Sequence, residues 1–533
     1  MSGTLSILPH IVASSASRWP DRIAVEAGDR RWTYAELDAE ASRLAHALGS
    51  GGVGHGDRVV VCLQKSLEAV ASIFGIQRTG AVFVPLDPAA PLSRQSAIVA
   101  DASPRAIIGT GDRLADLARA ACGPSPALLV NAGHPLSAPE AVPGSRLLEW
   151  RDLGQGAARG DAEPSPGCLA SILYTSGSTG VPKGVMISHA NVLAFTSWAA
   201  RRFGLTPDSR VTSVAPFHFD LSTFDLYSTL EAGGTVLLVP RQVALFPAAL
   251  AGFMDEGRAT HAYLVPSTLT ALLLKGGLLA RRLESLGTIL FAGEVFPPRH
   301  LTALMEGLPR AALYNLYGPT ETNVCTFYQV QPGDKGSERP VPIGEACSGD
   351  TVFALDDQGG LVTGPGTEGE LLVAGPTVAL GYWGDAERTS GAFMESHPAA
   401  PPGQRVYRTG DRVTLDRHGR WRYAGRRDQM VKSRGYRIEL GEIEAALLGH
   451  PAVAEAAAVG VPDEEAGHRV EAFVTLRGEA TVPGMASLQR HCVEKVPRYM
   501  VPERIEVLPV LPTTSTGKVD RQALAARRSS AKR

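Results

Sequence analysis

The amino-acid sequence predicts an α/β protein, with a large N-terminal domain of parallel and mixed sheets covered by helices and a small α+β C-terminal domain. Short apolar runs alternate with amphipathic helical segments through most of the chain, which is typical of parallel strands joined by crossover helices. After Gly425 the pattern changes to a short α+β arrangement. The chain has 533 residues, too many for one ordinary core, so more than one domain is expected.

The first predicted element is an amphipathic helix over residues 33–49. Thr33 and Glu36 have the spacing of a capping box, in which each side chain bonds the backbone N–H of the other residue. Gly49 is expected to end the helix, because glycine adopts the backbone conformation that helix termini require. The apolar face is expected to consist of Leu37, Leu44 and Leu48.

Strands and helices are predicted to alternate after this helix. The apolar run at 59–63 predicts a buried strand, and residues from about 66 to 77 predict a second helix. Two stretches rich in proline and glycine, 123–167 and 397–404, are predicted to be surface loops. Further strands are predicted in AVFVPLDP and at residues 234–240, 261–266 and 288–293.

The C-terminal region has a pattern of its own. Residues 438–448 predict a helix, residues 453–459 and 470–476 predict strands, and a second helix follows. We therefore expect a domain boundary near Asp428. It divides the chain into a core of residues 1–427 and a small domain of residues 428–533.

Composition and charge exclude several classes of protein. The formal net charge is −2, so no basic field favours nucleic acid. The six cysteines have neither CxxC nor Cys/His ligand spacing, which argues against a zinc site or a disulfide framework. The N-terminus lacks the pattern of a signal peptide, and no run of about 18 apolar residues occurs. We therefore expect a cytoplasmic protein that binds neither nucleic acid nor membrane.

The stretch YTSGSTGVPKGV, residues 174–185, predicts a binding loop for a polyphosphate. Its glycines allow backbone N–H groups to approach an anion, and Lys183 adds a positive charge. The Walker pattern GxxxxGK[ST] cannot be laid on these positions. A flexible Gly/Ser loop is the alternative, but the mixture of hydroxyls, glycines and a lysine favours phosphate. The hydroxyl donors are Thr175, Ser176, Ser178 and Thr179.

Three later motifs carry groups suited to a nucleotide or a cation. In NLYGPTET, a Gly-Pro turn offers the aromatic face of Tyr317, the hydroxyl of Thr320 and the carboxylate of Glu321. In YRTGDR, Asp411 can accept two hydroxyl hydrogen bonds, as a ribose requires. TSTGKVDR places Lys518 in a loop of small polar residues. Taken alone, Asp411 and Lys518 are better explained as a surface aspartate and a solvated lysine, and a plain β-turn is the alternative for NLYGPTET.

Through these motifs the chain resembles the adenylate-forming superfamily of acyl-CoA synthetases, luciferases and nonribosomal peptide adenylation domains. The resemblance recurs in order over nearly the whole chain, and it implies a distorted barrel in the N-terminal domain and a mobile C-terminal domain. One departure is Leu380 in VALGYW, where the family usually has arginine. The motifs that carry the resemblance include WTYAELDAEASRLAHAL, TGAVFVPLDP, GELLVAGPTVALGYW, GRRDQMVKSRGYRIELGEIE and VPRYMVP, besides those quoted above.

The resemblance implies a role in ATP binding for each matching residue. Asn315 and Tyr317 are expected at the adenine, and Asp411, assisted by Arg426, is expected at the ribose. The other expected nucleotide contacts are Thr175, Ser176, Gly177, Ser178, Thr179, Gly180, Lys183, Gly293, Gly318, Thr320 and Lys518.

The implied reaction is the attack of a carboxylate on the α-phosphate of ATP, followed by transfer of the activated acyl group to a thiol. Thr320, at the α-phosphate, Glu321, which holds Mg²⁺, and Lys518, which bridges the substrate carboxylate and the α-phosphate, are the expected catalytic residues. The C-terminal domain is expected to rotate about a hinge at Asp428 between the two steps. Lys518 then departs, and residues 432–437 arrive beside a tunnel for the thiol.

The stretch FHFDLSTFDLY, residues 217–227, bears on the choice of acid. Amino-acid adenylation domains carry an aspartate that receives the α-ammonium of the substrate, and Asp220 matches that aspartate. A buried carboxylate is tolerable where a cation compensates it. Asp225 fits a strand-end or helix-cap aspartate better, although the residues alone leave the two about equal.

The family's pocket positions fall here on residues that are apolar apart from the two charged groups. Their order is similar to that of stand-alone enzymes that load L-proline onto a peptidyl carrier protein. Such a lining excludes charged side chains by desolvation and leaves space for a small apolar one. The matching positions are Asp220, Leu221, Phe224, Tyr263, Leu290, Ala292, Leu316, Val324, Cys325 and Lys518.

The expected activity is therefore ATP-dependent activation of L-proline and its transfer to the phosphopantetheine thiol of a separate peptidyl carrier protein. Only a short segment follows Lys518, so the carrier is expected to be another molecule. Alternatives are a ligase for alanine, pipecolate or cysteine, or an acyl- or aryl-CoA ligase if Asp220 faces elsewhere. A non-catalytic nucleotide-binding scaffold is a third class, disfavoured because Thr320, Glu321, Asp411 and Lys518 are intact.

Overall fold

The computed structural model describes residues 5–111, 113–122, 126–133, 142–154, 164–177, 182–426, 430–477, 483–513 and 519–529. Within them the helices are α1 Pro9–Arg18, α2 Tyr34–Ser50, α3 Leu67–Arg78, α4 Leu92–Ala102, α5 Arg113–Ala120, α6 His189–Arg202, α7 Thr229–Glu231, α8 Arg241–Ala244, α9 Pro247–Glu256, α10 Pro266–Leu274, α11 Pro298–Gly307, α12 Ala386–Ala392, α13 Leu440–Leu448, α14 Met485–Val493 and α15 Arg521–Ser529. A π-helical turn, Phe224–Ser228, leads into α7.

The strands of the N-terminal half are β1 Ile23–Ala27, β2 Arg30–Thr33, β3 Arg58–Val61, β4 Val82–Pro85, β5 Ala106–Gly109, β6 Leu128–Asn131, β7 Arg146–Glu149, β8 Leu169–Thr175, β9 Lys183–Ser188, β10 Arg210–Ser213, β11 Thr235–Leu238, β12 His261–Leu264, β13 Thr288–Ala292 and β14 Ala312–Tyr317. Those that follow are β15 Thr326–Gln329, β16 Glu345–Ala346, β17 Thr351–Leu355, β18 Glu368–Ala374, β19 Gly381–Tyr382, β20 Phe393–Met394, β21 Val406–Leu415, β22 Trp421–Arg426, β23 Met430–Ser433, β24 Tyr436–Glu439, β25 Val453–Asp463, β26 Gly467–Leu476 and β27 Arg504–Val507.

Two large sheets with mainly parallel centres form the N-terminal part. One has the order β16-β15-β14-β13-β12-β10-β11-β1-β2, and the other has the order β19-β9-β8-β4-β3-β5-β6-β7. Antiparallel strands are added at the edges, such as β15 against β14 and β9 against β8. The predicted α/β class is confirmed. In open parallel sheets, ligands bind outside the carboxyl ends of the strands, and several predicted site residues follow the ends of β8, β10, β13 and β14.

Smaller sheets complete the chain. Strands β17, β18, β21, β20 and β22 make an antiparallel sheet, in the region where a distorted barrel was expected. After it come the two-stranded hairpin β23-β24 and the sheet β25-β26-β27. The C-terminal elements have apolar clusters of their own, one of which contains Ile443, Val470 and Leu488. The predicted hinge, Asp428, lies outside the described residues.

Helix α2 matches its prediction closely. The Thr33 side chain accepts from the Glu36 N–H and the Glu36 carboxylate accepts from the Thr33 N–H, so the capping box is present. Leu37, Leu44 and Leu48 are fully buried. The helix runs past Gly49 to Ser50, and Gly51 caps it, because a glycine inside the last turn lowers helix stability without forcing an end.

The prediction that residues 123–167 form only a surface loop is wrong. Strands β6 and β7 lie in this stretch and extend the parallel sheet at its edge. Leu128 and Val130 are fully buried. Short runs of this kind are easily hidden by Pro/Gly-rich flanks, since an edge strand of four residues has too few positions for a clear pattern. Residues 397–404 contain no helix or strand, as predicted.

Gly318 is required where β14 ends and the chain turns back on itself. A Cβ at this position would lie 1.7 Å from the carbonyl oxygen of Asn323. Asn323 itself adopts a left-handed backbone, with φ 51°, a conformation that asparagine tolerates better than most residues. The turn therefore brings the backbone at Gly318 closer to the carbonyl group of Asn323 than any residue with a Cβ atom at position 318 would allow.

We predict that Gly318→Ala destabilises the protein by about 3 kcal/mol, because the turn must open to admit the methyl group. The shift in the midpoint of urea unfolding would measure the loss. Gly287→Ala is the matched control, since a Cβ there meets no atom within 4 Å. Equal midpoints for the two variants would contradict the close approach described for Gly318.

Candidate active site

The described part of the phosphate loop lies at the carboxyl end of β8. Thr175 is the last residue of that strand and pairs with Lys183 at the start of β9. The Ser176 hydroxyl donates to the carbonyl oxygen of Arg437 over 2.9 Å. The Thr175 hydroxyl is buried and has no hydrogen-bond partner among the described residues, which leaves a donor for an anion. Ser178, Thr179 and Gly180 lie outside the described residues.

A buried carboxylate, Glu321, lies at the centre of the site. It is fully buried, and it accepts from the Lys183 ammonium at 3.0 Å, the Tyr382 hydroxyl at 2.7 Å and the Arg437 guanidinium at 3.1 Å. Burial raises the pKa of Glu321, but Lys183 and Arg437 outweigh it and hold the pKa well below its ordinary value. The side chain is therefore ionised and suited to a cation.

The residues expected at the nucleoside lie together on β14, β21 and β22. The Tyr317 hydroxyl donates to the carboxylate of Asp411, and Arg426 pairs with the same carboxylate at 2.6 Å. Lys432, from the C-terminal hairpin, lies 6.0 Å from the centre of the Tyr317 ring. The Asn315 side chain donates to the carbonyl oxygen of Pro342 at 2.8 Å, which fixes its orientation beside this group.

Asp220 and Thr320 are adjacent. Burial raises the pKa of Asp220, and a hydrogen bond from the Thr320 hydroxyl and the positive charge of Lys432 act in the opposite direction. The Asp220 carbonyl oxygen accepts from both the backbone N–H and the hydroxyl of Thr223. Thr223 in turn accepts from the Asn323 amide at 2.9 Å. Asp220 is thus held beside the turn that carries Thr320.

Most of the predicted pocket positions share one apolar cluster. Its buried members include Phe224, Tyr263, Leu290, Ala292, Leu316 and Val324, and Leu221 packs against them. The rings of Phe224 and Tyr263 meet edge to face at 5.8 Å. Cys325 instead belongs to a different cluster, which contains Tyr317, because consecutive residues of an extended chain face opposite sides. Cys347, which the sequence did not single out, packs in the pocket cluster.

Asp225 has surroundings of its own. It is fully buried, and neither carboxyl oxygen has a hydrogen-bond partner among the described residues. Burial raises its pKa well above the ordinary value, and Lys65 counteracts this. Burial also lowers the pKa of Lys65 to about 7, with Asp225 opposing. The Lys65 ammonium donates to the carbonyl oxygens of Ser213, Val214 and Ala215, where β10 ends.

The C-terminal hairpin docks onto the site. Glu294, after β13, accepts from the Ser267 N–H at 2.9 Å and from the Gly435 N–H at 2.5 Å. Gly293 has φ 94°, and the Gly435 carbonyl oxygen is 4.0 Å from the place of a Cβ there. Lys432 and Arg437, on β23 and β24, thereby face Tyr317 and Glu321.

Ion pairs between the N- and C-terminal parts fix the same arrangement. Arg94, on α4, pairs with Glu442, on α13, and both side chains are at least nine-tenths buried. The Ser93 hydroxyl donates to the carbonyl oxygen of Glu494. Lys518 lies outside the described residues. Val519, the next residue, packs on a cluster of C-terminal residues that includes Phe473.

A cavity of about 1170 Å³ runs beside these groups. Leu221 and Tyr263 of the pocket line one part of it, and Tyr436 of the hairpin forms another part of the wall. Lys65 also lines it. The cavity therefore joins the pocket region to the boundary between the N- and C-terminal parts.

The groups present fit a nucleoside triphosphate and a hard cation. The unpaired Thr175 hydroxyl and the nearby Lys183 ammonium suit phosphate oxygens. The ionised Glu321 suits Mg²⁺, although in this arrangement Arg437 contacts the same carboxylate. Among the described residues, no cluster of three or more His, Cys, Asp or Glu side chains is placed to share a metal ion, so phosphate oxygens would have to complete the coordination.

Sequence reasoning missed Lys65, Arg94, Glu294 and Cys347. Lys65 precedes the capping serine of α3 and resembles an ordinary surface lysine in the sequence. Arg94 and Glu442 are hundreds of positions apart, and their pairing depends on the docking of two parts of the chain. Glu294, in the stretch AGEV, follows the strand predicted at 288–293. Its place at the carboxyl end of a strand could have identified it as a candidate site residue.

Comparison with known proteins gives a consistent family. The family described as AMP-binding enzyme matches residues 12–383, and the family described as AMP-binding enzyme C-terminal domain matches residues 442–518. In the part of the chain that the structure describes, every helix is too short or too polar to span a bilayer.

Full-length relatives are also found. An L-proline–[L-prolyl-carrier protein] ligase of Pseudomonas fluorescens is 39% identical and covers 98% of this chain and 99% of its own length. A protein of the same name from Streptomyces coelicolor is 41% identical, and the match covers 92% of this chain and 91% of that protein. The solved structure of an amide bond synthetase from Marinactinospora thermotolerans has a TM-score of 0.83 at 27% sequence identity. The match covers 98% of this chain and 99% of that structure.

We predict that Lys65→Met destabilises the protein by about 3 kcal/mol, because three carbonyl groups lose their donor and Asp225 loses its neighbouring cation. The segment after β10 carries Asp220, so the KM for the carboxylate substrate should rise as well. Urea unfolding and steady-state kinetics would measure the two effects. Lys335→Met, at an exposed lysine, is the control and should cost less than about 0.5 kcal/mol. Similar losses in both variants would show that Lys65 is an ordinary surface residue.

Proposed function

The chain belongs to the AMP-binding enzyme family, and on that premise we propose that it activates L-proline with ATP and transfers the prolyl group to a separate peptidyl carrier protein. The acceptor is the phosphopantetheine thiol of that protein. The observation that carries the proposal is the carboxylate of Asp220, which lies beside a cluster of apolar pocket residues. The names of the two full-length relatives support the choice of proline and carrier protein.

In the first step, a carboxylate oxygen of proline attacks the α-phosphorus of ATP, and the bond to the bridging oxygen of pyrophosphate breaks. Prolyl-AMP forms and pyrophosphate leaves with the bonding electron pair. We propose that Thr320, next to Asp220, donates to the α-phosphate and that Lys183 adds positive charge. Glu321 would hold Mg²⁺, which supplies charge neutralisation for the phosphates. Lys518 is proposed to bridge the proline carboxylate and the α-phosphate.

The choice of proline as the substrate rests on the charge and size of the pocket. Proline's ring nitrogen is cationic and has two N–H donors, so it can pair with Asp220 and one further acceptor. Burial has raised the pKa of Asp220, so a cation that replaces the lost water stabilises the carboxylate. Phe224, Tyr263 and Leu290 leave an apolar space suited to a small ring. Acyl- and aryl-CoA ligases have no cation in their substrate for such a carboxylate.

In the second step, the thiol sulfur attacks the acyl carbon of prolyl-AMP, the carbon–oxygen bond to AMP breaks, and the thiol proton is released. The docked hairpin supports this step, since Lys432 and Arg437 lie beside Tyr317 and Glu321. We propose that residues 428–533 rotate about Asp428 relative to residues 1–427. One orientation brings Lys518 to the site, and the other brings the hairpin.

We also propose a cytoplasmic location, where ATP and carrier proteins with reduced thiols are both available. The described cysteines are free thiols. The proposal involves no nucleic acid and no membrane.

We predict that a panel of amino acids tested in ATP–pyrophosphate exchange gives proline the highest kcat/KM. Pipecolate should follow, and alanine and cysteine should be at least about 10-fold weaker, because they fill less of the apolar pocket. If alanine matches proline, the substrate assignment fails. Exchange with benzoate or a fatty acid in preference to any amino acid would support an aryl- or acyl-CoA ligase instead.

In the same assay, Asp220→Ala should lose proline-dependent exchange by at least about 100-fold, since the prolinium then has no buried counter-charge. Asp208→Ala, at an exposed surface aspartate, should have little effect. An unimpaired Asp220→Ala variant would show that this carboxylate does not receive the ammonium.

The two orientations predict opposite effects for two basic residues. Lys518→Ala should slow exchange by at least about 100-fold and spare thioester formation from supplied prolyl-AMP. Arg437→Gln should slow thioester formation by about 10-fold or more and leave exchange nearly unchanged, because its contact with Glu321 belongs to the docked hairpin. Single-turnover assays of each step would measure both. Parallel losses in the two steps, for either variant, would contradict the division of labour.

A further inference from the structure

The cavity beside the active site has an apolar rim on the protein surface. Leu245 lines the cavity, yet this residue is 67% exposed, and the adjacent Phe246 is 64% exposed. They form the link between α8 and α9, just before Pro247 begins α9. Two adjacent large apolar side chains held in water at the entrance of a cavity are typical of a binding surface.

This link is held in place by its neighbours, so the exposure is built into the fold. The Phe246 carbonyl oxygen accepts from the Leu250 N–H in the first turn of α9, and Leu250 is buried. Close by, a Cβ at Gly276 would lie 2.9 Å from the Pro247 carbonyl oxygen, so the chain beyond α10 packs against the link. The two side chains therefore project outward from an anchored backbone.

The same entrance carries two arginines that have no acidic partner in the part of the chain that the structure describes. Arg241 and Arg498 line the cavity and are exposed, and within the described ranges neither side chain pairs with a carboxylate. Both lie near Tyr436. Burial raises the pKa of the Tyr436 phenol, and Arg241 opposes the rise. Arg498 precedes Tyr499, which stacks on Tyr436 at 3.8 Å.

The acidic groups along this wall already have partners. Asp463 pairs with Arg469 at 2.6 Å, and Glu465 pairs with Lys275 at 2.5 Å. Asp87 accepts from the Ala89 N–H at 2.8 Å in the turn before α4. The two unpaired guanidinium groups are therefore available to an anion that enters from solvent.

We propose that Leu245 and Phe246 form the docking surface for the carrier protein, and that Arg241 and Arg498 bind the phosphodiester of its arm. This deepens the proposed function and rests on it. A phosphopantetheine arm has one negative phosphodiester at the protein end and a thiol at the other. The cavity offers cations and an apolar rim at its entrance, and it reaches Leu221 and Tyr263 of the substrate pocket. Charge complementarity and the continuity of the cavity thus select this occupant over an uncharged thiol.

Three acceptors separate the contributions: pantetheine, pantetheine 4′-phosphate and the phosphopantetheine form of the prolyl-carrier protein of the Pseudomonas fluorescens relative. For Leu245→Ser combined with Phe246→Ser, kcat/KM for prolyl transfer to the carrier protein should fall by at least about 20-fold. Transfer to pantetheine 4′-phosphate should change by less than about 3-fold, because that acceptor makes no protein–protein contact. Leu361→Ser, at an exposed leucine elsewhere, is the matched control and should leave carrier transfer unchanged.

Arg241→Gln combined with Arg498→Gln should lower the ratio of kcat/KM for pantetheine 4′-phosphate to kcat/KM for pantetheine by about 10-fold. The docking proposal is overturned if the Leu245/Phe246 variant keeps full carrier transfer, or if it loses transfer equally to all three acceptors. An unchanged preference in the arginine variant overturns the phosphate assignment. Absence of transfer by the wild type to every acceptor, with proline-dependent exchange intact, would instead refute the second step of the proposed function.

Discussion

The buried carboxylate of Glu321 is the constraint on which the rest of the site depends. A carboxylate without solvent is costly unless cations and donors surround it. Here Lys183, Tyr382 and Arg437 supply them, and each comes from a different part of the chain. Strand β9 after the phosphate loop, its neighbour β19 and the C-terminal hairpin therefore meet at the turn that Gly318 makes possible.

Arg437 links the stabilisation of the Glu321 carboxylate to the proposed rotation of the C-terminal part. If the C-terminal part rotates as proposed, Glu321 loses one cation while Lys183 remains. The carboxylate would then be free to hold the Mg²⁺ of the proposed first step, so the same residue would serve each proposed step with a different cation. Other contacts between the two parts also depend on the orientation, since Glu294 bonds the hairpin at Gly435 and Arg94 pairs with Glu442 on α13. Polar contacts such as these hold the described orientation, and the proposed rotation would exchange them for contacts with solvent.

Local sequence patterns predicted local structure well, but they could not predict contacts between distant parts of the chain. The capping box of α2 and its leucine face follow from spacing alone, and the order of apolar runs indicated the parallel sheets. The relation of Lys65 to Asp225 could not be predicted, because it links the start of α3 to a π-helical turn far along the chain. Cys325 was expected in the pocket with Val324, but the alternation of an extended chain sends it to the opposite cluster. Motif matching assigns positions, while backbone geometry decides which way each side chain faces.

Part of the selectivity of the proposed pocket is present before a substrate binds. Burial raises the pKa of Asp220, so the carboxylate is less stable there than in water, and the Thr320 hydroxyl and Lys432 make up only part of the difference. An ammonium that enters the pocket supplies the missing stabilisation, whereas a neutral acid of the same shape leaves the carboxylate uncompensated. On the proposed role of Asp220, discrimination between amino acids and other acids therefore arises from this cost, which is present before binding. Discrimination among amino acids has a different origin, which is how completely the substrate's side chain fills the space beside Phe224 and Tyr263. A difference in apolar filling changes kcat/KM between close analogues by a smaller factor than a missing charge does.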